Sequence, residues 1–333
     1  MQSINYTRAD TLDTAVQAFV SAGASARYIA GGTTLFDLMK LGVEQPQHLV
    51  DISGIEGLDT IETEGTMLRF GAMALMGDVA DALSKLGEYP VLSESLYRAA
   101  SQQIRNMATV GGNLLQRTRC PYFRAGNGVY PCNRRIPGSG CAAIAGLDRG
   151  QAVLGSSQAC NAVSPGDWPV ALVALEARIE TFGPQGRRAM PITELYRLPD
   201  NRPEQEFTLQ TGEIITAIVV PKTAAGRGST YHKIRDRESF AFALSSAAVA
   251  LDVESSMIRN VRIALGGVAT VPWRAKEAEE IVRGRDLTPE LAMEAGRVAF
   301  QNARPGHHNG FKIELGARVV ADALMIAAER SRS

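Results

Sequence analysis

The sequence predicts an α+β chain of two domains, and three observations carry that reading. Its 333 residues suit two domains at about 150 residues each. Strand and helix signals alternate through the first 60 residues in a βαβ pattern. Beyond residue 229, three strand signals run in succession and then give way to helical ones, the order of a second α+β unit. With 45% hydrophobic and 21% charged residues the chain is neither disordered, collagenous, coiled-coil nor low-complexity. A chain of this size buries roughly 75% of its unfolded surface and needs no disulfide scaffold.

Residues 11–22 read as a helix capped by Asp10 or Thr11, because Leu12, Ala15, Val16 and Phe19 fall on one stripe. Residues 27–30 form a short strand broken by Gly31-Gly32. A helix over 35–40 follows that turn, then a strand over 48–52. Residues 67–72 read as a strand, and 76–86 and 91–101 as helices. From 117 to 165 the chain carries four Cys, four Pro and seven Gly with little periodicity. A stretch that long without elements of its own implies a ligand or metal organiser. Residues 168–180 are apolar and fit helix or strand equally. Residues 201–206 read as a loop, 214–220 as a strand ended by Pro221, and 221–228 as a linker. Strands over 230–234, 241–251 and 258–265 precede helices over 288–303 and 312–329, with no internal repeat.

Thirty-five basic residues balance 35 acidic ones, which argues against nucleic acid or an anionic membrane as partner. The apolar run over 240–251 stops at Asp252, short of the ~20 residues a membrane span needs, so no membrane insertion is expected. The first ten residues lack a basic segment followed by an apolar one, and the pairs Arg134-Arg135 and Arg187-Arg188 are internal. No signal peptide is expected on this chain.

Three motifs carry chemistry. The first is Ala30-Gly31-Gly32-Thr33-Thr34-Leu35. Glycines let a backbone approach a phosphate, and the amides of a following helix favour its charge. The plain alternative is a strand-to-helix turn, and the pattern is not the G-x-G-x-x-G of a dinucleotide fold. The second, Thr109-Val110-Gly111-Gly112-Asn113, repeats this chemistry about 80 residues on, with a Gly-Gly-Asn hairpin as its alternative. Two such loops suit one extended anionic ligand such as a diphosphate. The third is Cys120, Cys132, Cys141 and Cys160, the chain's four cysteines, confined to 41 residues. Their spacing fits neither a zinc finger nor a bacterial ferredoxin. Four thiolates would nonetheless make an anionic metal site, which Arg117, Arg119, Arg124, Arg134 and Arg135 nearby would stabilise. Four unliganded buried thiols are the alternative.

Taken together, the two glycine loops and the trailing strand–helix domain resemble the FAD-binding subunits of the xanthine dehydrogenase/molybdenum hydroxylase family over nearly the whole chain. The segment Arg119-Cys120-Pro121-Tyr122-Phe123, with Pro131-Cys132-Asn133 and Gly140-Cys141, is similar to the subgroup represented by bacterial periplasmic aldehyde oxidoreductases, whose FAD subunit holds an extra [4Fe-4S] cluster. The resemblance implies a vanillyl-alcohol-oxidase-type (PCMH-type) FAD-binding fold of two subdomains over 1–223, with 117–165 as the iron–sulfur insertion. It also implies a CO-dehydrogenase-flavoprotein-like domain over 229–330. Carried over by motif, Ala30, Gly31, Gly32, Thr33, Thr34 and Leu35 would wrap the FAD diphosphate on one side. Thr109, Gly111, Gly112 and Asn113 would hold the other, with Thr118 downstream. Asp167 matches an acidic position that touches the cofactor. Lys233 sits where relatives approach the flavin, unless it is an exposed strand lysine. Cys120, Cys132, Cys141 and Cys160 would ligate the cluster.

By this resemblance the chain is an electron-transfer flavoprotein subunit and an oxidoreductase. Its partners would be a large molybdenum-cofactor subunit and a small [2Fe-2S] subunit, as a heterotrimer or its multiple, together with an external electron acceptor. The substrate would be an aldehyde or a heterocycle oxidised on the large subunit. The alternatives are a self-sufficient FAD oxidase and a cluster-stabilised binding protein without redox turnover. Insertion of a cluster needs reduced thiols and favours cytoplasmic assembly, while co-export to the periplasm with a partner stays open. His307-His308-Asn309-Gly310 reads as a surface loop without a carboxylate at ligand spacing. His48 and His232 read as packing residues within strands, and Met67, Met73 and Met76 as core. No catalytic residue is identifiable.

Overall fold

Strands β1 (Asn5–Arg8), β2 (Ala26–Ile29) and β3 (His48–Asp51) form a parallel sheet in the order β1-β3-β2 in the computed structural model, which describes residues 3–126 and 128–332. Met1 and Gln2 of the N-terminal reading and Asn127 of the insertion lie outside the described residues, as does Ser333. Helix α1 (Leu12–Ala22) links β1 to β2. Thr11 rather than Asp10 caps it, in a reciprocal box: each of Thr11 and Thr14 accepts the other's backbone N–H at 3.1 Å. Helix α2 (Leu35–Lys40) links β2 to β3 across the glycine turn, so the βαβ reading holds.

The second sheet is antiparallel, in the order β4-β5-β8-β6-β7: β4 (Ile61–Glu62), β5 (Met67–Gly71), β6 (Arg178–Gly183), β7 (Gly186–Pro191) and β8 (Ile214–Pro221). Central β8 is apolar on both faces, and Ile214, Ile215, Ala217, Ile218 and Val220 are all buried. Between β5 and β6 the chain builds α3 (Met76–Leu86), α4 (Pro90–Tyr97), α5 (Gln102–Arg105), α6 (Val110–Leu114), α7 (Pro121–Arg124), α8 (Ala142–Ala145) and α9 (Trp168–Ala174). The ambiguous stretch 168–180 thus divides into α9 and β6, turning at Glu176 with φ 54°. Thr109-Val110-Gly111-Gly112-Asn113 opens α6 rather than a hairpin, because Thr109 Oγ1 accepts the Gly112 N–H at 3.2 Å as an N-cap.

The third sheet is antiparallel in the order β12-β11-β10-β9: β9 (Ser229–Ile234), β10 (Ser245–Glu254), β11 (Met257–Gly266) and β12 (Trp273–Arg274). Its residues alternate between two cores, as strand geometry dictates. Tyr231, Ala248, Ala250 and Ala264 join α4 and α9 in the core of the second sheet. Val249, Leu251, Ile263 and Leu265 pack on α10 (Lys276–Val282), α11 (Pro289–Val298) and α12 (Phe311–Arg332). The sheet therefore carries three helices among the described residues, not the pair read from sequence. Trp168 is fully buried, edge-on to Phe70 with centroids 5.8 Å apart. Among the described residues no helix is long and apolar enough to cross a membrane.

Candidate functional site

The two glycine loops meet. Gly32, three residues beyond the end of β2, lies in the left-handed region at φ +70°, which turns the chain into α2. A Cβ on Gly31 would lie 1.9 Å from the Met107 carbonyl oxygen, so only glycine lets this loop seat against residues 107–108. The second loop is pinned from behind: Val110 and Gly111 donate backbone N–H groups to Ala74 and Ala72 at 2.9 and 2.8 Å. A Cβ on Gly111 would come within 2.6 Å of the Ala72 Cβ. Between the loops opens a cavity of about 470 Å³. Ala30, Gly31, Gly32, Thr33, Thr34 and Leu35 line it, as do Thr109, Gly111, Gly112 and Asn113, and further along Asp167 and Lys233.

Two features of the wall call for a polar ligand. Helix α2 has no side-chain N-cap among the described residues; the Phe36 and Leu38 N–H groups bond the Gly32 and Thr34 carbonyls at 2.9 and 3.1 Å, which leaves the Leu35 N–H to another acceptor. Asn113 Oδ1 is buried without a hydrogen-bond partner among the described residues. At the far end, Lys233 is 6% exposed, so it is not the exposed strand lysine that sequence allowed. Its Nζ lies 2.9 Å from Asp167 Oδ2 and 3.0 Å from the Arg98 carbonyl. Tyr231 donates to Asp167 Oδ1 at 2.5 Å. Burial pushes the Asp167 carboxyl up, against the opposing pull of Lys233 and Tyr231.

Thr118 lies elsewhere. It is buried, does not line the cavity, and accepts the Cys120 N–H at 3.2 Å, which ties it to the cysteines. Two stretches of the wall escaped the sequence reading. Helix α4 ends at Tyr97, and Ala100 (φ 49°) and Ser101 turn along the cavity before α5. Likewise β10 begins at Ser245, so Phe240, Ala241 and Phe242 line the cavity instead of opening a strand. Ser101 caps α5 through Ile104 N, and that cap was the one available signal for the break.

The four cysteines gather in a second cluster with Leu38, Phe123, Ala143 and Ala162. Leu38 belongs to α2, so this cluster sits against the first glycine loop's helix. All four thiols are free. Cys132 and Cys141 pair across an isolated antiparallel bridge, and Cys141 is hydrogen-bonded to Cys160. That bond, assisted by Arg134, holds the Cys160 thiol low, while burial pushes Cys120 up. Among the described residues no three His, Cys, Asp or Glu side chains are set to hold a single metal ion.

Residues 2–223 match the family model of the FAD-binding domain in molybdopterin dehydrogenase, and 229–326 that of the CO dehydrogenase flavoprotein C-terminal domain. The chain is 43% identical to the aldehyde oxidoreductase FAD-binding subunit PaoB of Escherichia coli (strain K12), covering 97% of this chain and 98% of that one. The chain belongs to the FAD-binding subunits of the molybdenum hydroxylases. It is 27% identical to the carbon monoxide dehydrogenase medium chain of Afipia carboxidovorans, over 99% of this chain and 97% of that one. Its fold superposes on the carbon monoxide dehydrogenase of Hydrogenophaga pseudoflava with a TM-score of 0.77, at 26% identity and covering 99% and 98% of the two chains. As an oxidoreductase flavoprotein subunit it binds FAD, and the glycine seam, the uncapped α2 and the unpartnered Asn113 fit a diphosphate-bearing cofactor.

Of the five arginines read from sequence as stabilising the thiols in this flavoprotein subunit, Arg134 alone among the described residues donates to a sulfur, Cys160 Sγ at 3.2 Å. Arg117 pairs with Glu44 and Glu206, Arg119 and Arg124 with Asp37, and Arg135 with backbone carbonyls. The carboxylates that claim them are remote in sequence. The His307-His308 loop does meet a carboxylate, also remote: buried Asp148 accepts both backbone N–H groups and faces His308 Nδ1 at 3.0 Å. His48 bonds Thr7 at 2.9 Å, and His232 lies half-buried 3.7 Å from Asp322. Met76 is buried, Met73 lines the cavity, and Met67 is exposed rather than core.

Proposed function

We propose that this chain is the FAD- and [4Fe-4S]-binding electron-transfer subunit of a molybdenum-dependent aldehyde oxidoreductase. Bound FAD would supply a centre that accepts electrons singly and releases them singly or in pairs. Gly31, Gly32, Thr33 and Thr34 hold the diphosphate from one side, and Thr109, Gly111, Gly112 and Asn113 from the other. Ala30 and Leu35 frame the first loop, and Asp167 and Lys233 bound the far end. Thr118 acts on the cysteine side rather than on the flavin. The observation that carries the FAD assignment is the glycine seam, where two loops far apart in sequence line one cavity.

Cys120, Cys132, Cys141 and Cys160 ligate the cluster in this reading. Its support is their convergence as free thiols and the N–H groups aimed at their sulfurs: Arg134 and Ala162 at Cys160, Gln151 at Cys120. A four-iron cluster binds each thiolate to a different iron, so its ligands need a wider cage than one metal ion does. The FAD-binding domain spans 1–223 with the insertion at 117–165, and the second domain spans 229–330. PaoB is named a subunit of an aldehyde oxidoreductase, and other relatives are named the medium chain of a glyceraldehyde dehydrogenase and the medium subunit of a nicotine 6-hydroxylase. On that ground the partners are a large molybdenum-cofactor subunit and a small [2Fe-2S] subunit, with an acceptor taking electrons from FAD. The test is reconstitution. The trimer should oxidise aldehydes and reduce a dye, and the isolated chain should not turn over aldehydes. Turnover by the isolated chain would point instead to a self-sufficient oxidase.

A further inference from the structure

We infer that Arg134 is the residue that sets the reduction potential of the iron–sulfur centre, through its hydrogen bond to Cys160 and its buried charge. This rests on the four-cysteine reading above. The Arg134 side chain is 6% exposed, with Nε 3.2 Å from Cys160 Sγ. Its other arm pairs with Glu206, which also accepts from Arg117 Nε at 2.6 Å. Arg117 reaches Glu44 at 2.5 Å, and Glu44 pairs with Arg27 at 3.1 Å. Arg27, Glu44 and Arg117 line the FAD cavity.

This chain of ion pairs runs from the cavity wall to the cysteines and holds three cations against two anions. Both of its ends are cations: Arg27, 44% exposed, at the outer end, and Arg134, buried, at the end that abuts the thiols. Glu206 is shared with Arg117 and so only partly compensates the desolvated Arg134 guanidinium; neutral thiols add nothing to that, whereas a four-thiolate cluster supplies the remaining negative charge. One-electron reduction of such a cluster adds a unit of negative charge. A cation in hydrogen-bond contact stabilises the reduced form more than the oxidised one, and so raises the potential. Arg134 is a positioning and tuning residue, and Gln151, a neutral donor to Cys120 Sγ at 3.4 Å, is its weaker counterpart.

The experiment is a potentiometric titration of the anaerobically purified full-length chain, read by EPR of the reduced cluster, with iron counted first. R134M with wild-type iron should shift the midpoint negative by a tenfold change in the reduction equilibrium, about 59 mV for one electron. R134K and Q151L should shift it less. Should R134M lose iron, E206Q carries the test, since it leaves Arg134 in place without its counter-charge and should move the midpoint positive. An unmoved midpoint in iron-replete R134M, or a negative shift in E206Q, overturns the inference. A wild-type chain that cannot be loaded with iron overturns the four-cysteine reading itself.

Discussion

Replacing Gly31 by alanine perturbs the seam between the two glycine loops by a single methyl. That carbon would stand 1.9 Å from the Met107 carbonyl oxygen and 3.2 Å from the Ala108 Cα, against ordinary contacts of 3.4–4 Å. The obstruction is backbone, pinned in turn by the bonds of Val110 and Gly111 to Ala74 and Ala72. The loops must therefore part by more than an ångström. Overpacking of this kind costs about 1–3 kcal/mol. Loss of that much from binding weakens FAD by roughly 5- to 150-fold at about 1.4 kcal/mol per decade. Titrating the apo chain with FAD and following quenching of flavin fluorescence gives the dissociation constant directly. Gly150→Ala is the control, because its Cβ would meet nothing within 4 Å. If Gly31→Ala binds FAD within twofold of the parent and melts at the same temperature, the seam does not hold the diphosphate.

Asn113→Ala removes a buried oxygen that has no partner among the described residues. It should leave the apo chain as stable or more so, yet weaken FAD by roughly 2- to 12-fold, the worth of one hydrogen bond at about 0.5–1.5 kcal/mol; calorimetry of both forms checks this. Lys233→Met should destabilise the chain by about 3–5 kcal/mol, because it strands the Asp167 carboxylate in the core. Lys233→Met with Asp167→Leu should recover most of that loss in denaturant unfolding. Lys312 is buried with Nζ bonded to the Gly150 and Gly267 carbonyls, and burial lowers its pKa to about 8 from 10.5. Below pH 8 both folded and unfolded chains hold its proton and the full cost of burying the charge is felt. Between about 8 and 10.5 the unfolded chain binds more protons, so this group's contribution to stability rises with pH by about 3 kcal/mol. Melting curves across that range should show the rise in the parent and lose it in Lys312→Met.

Local signals in the sequence were read well wherever one face of an element met one core. The stripe of Leu12, Ala15, Val16 and Phe19 gave α1, and the glycine turn gave β2, α2 and the parallel β3. The cavity residues were legible because glycine and N-cap chemistry is local, and twelve of the thirteen flavin candidates line one cavity. Thr118 does not, since only tertiary packing decides which way a residue just past α6 faces. Strand β7 was missed because Gly186, Arg187, Arg188 and Ala189 are exposed at the sheet's edge and show no alternation. Arg134 could not be told from its four neighbours, because the carboxylates that engage Arg117, Arg119 and Arg124, namely Asp37, Glu44 and Glu206, lie 70 residues or more away in the chain. The same distance hid Asp148 from His308.

The most direct test of the whole account is the cofactor content of the purified chain, prepared anaerobically without its partners. Flavin absorbance, iron and acid-labile sulfide should give one FAD with four irons and four sulfides per chain, and no molybdenum. Replacing Cys120, Cys132, Cys141 or Cys160 singly by serine should lower the iron each time, while FAD stays bound or loosens only through α2. A chain that takes up no FAD, or that carries zinc or two disulfides in place of iron, would contradict it.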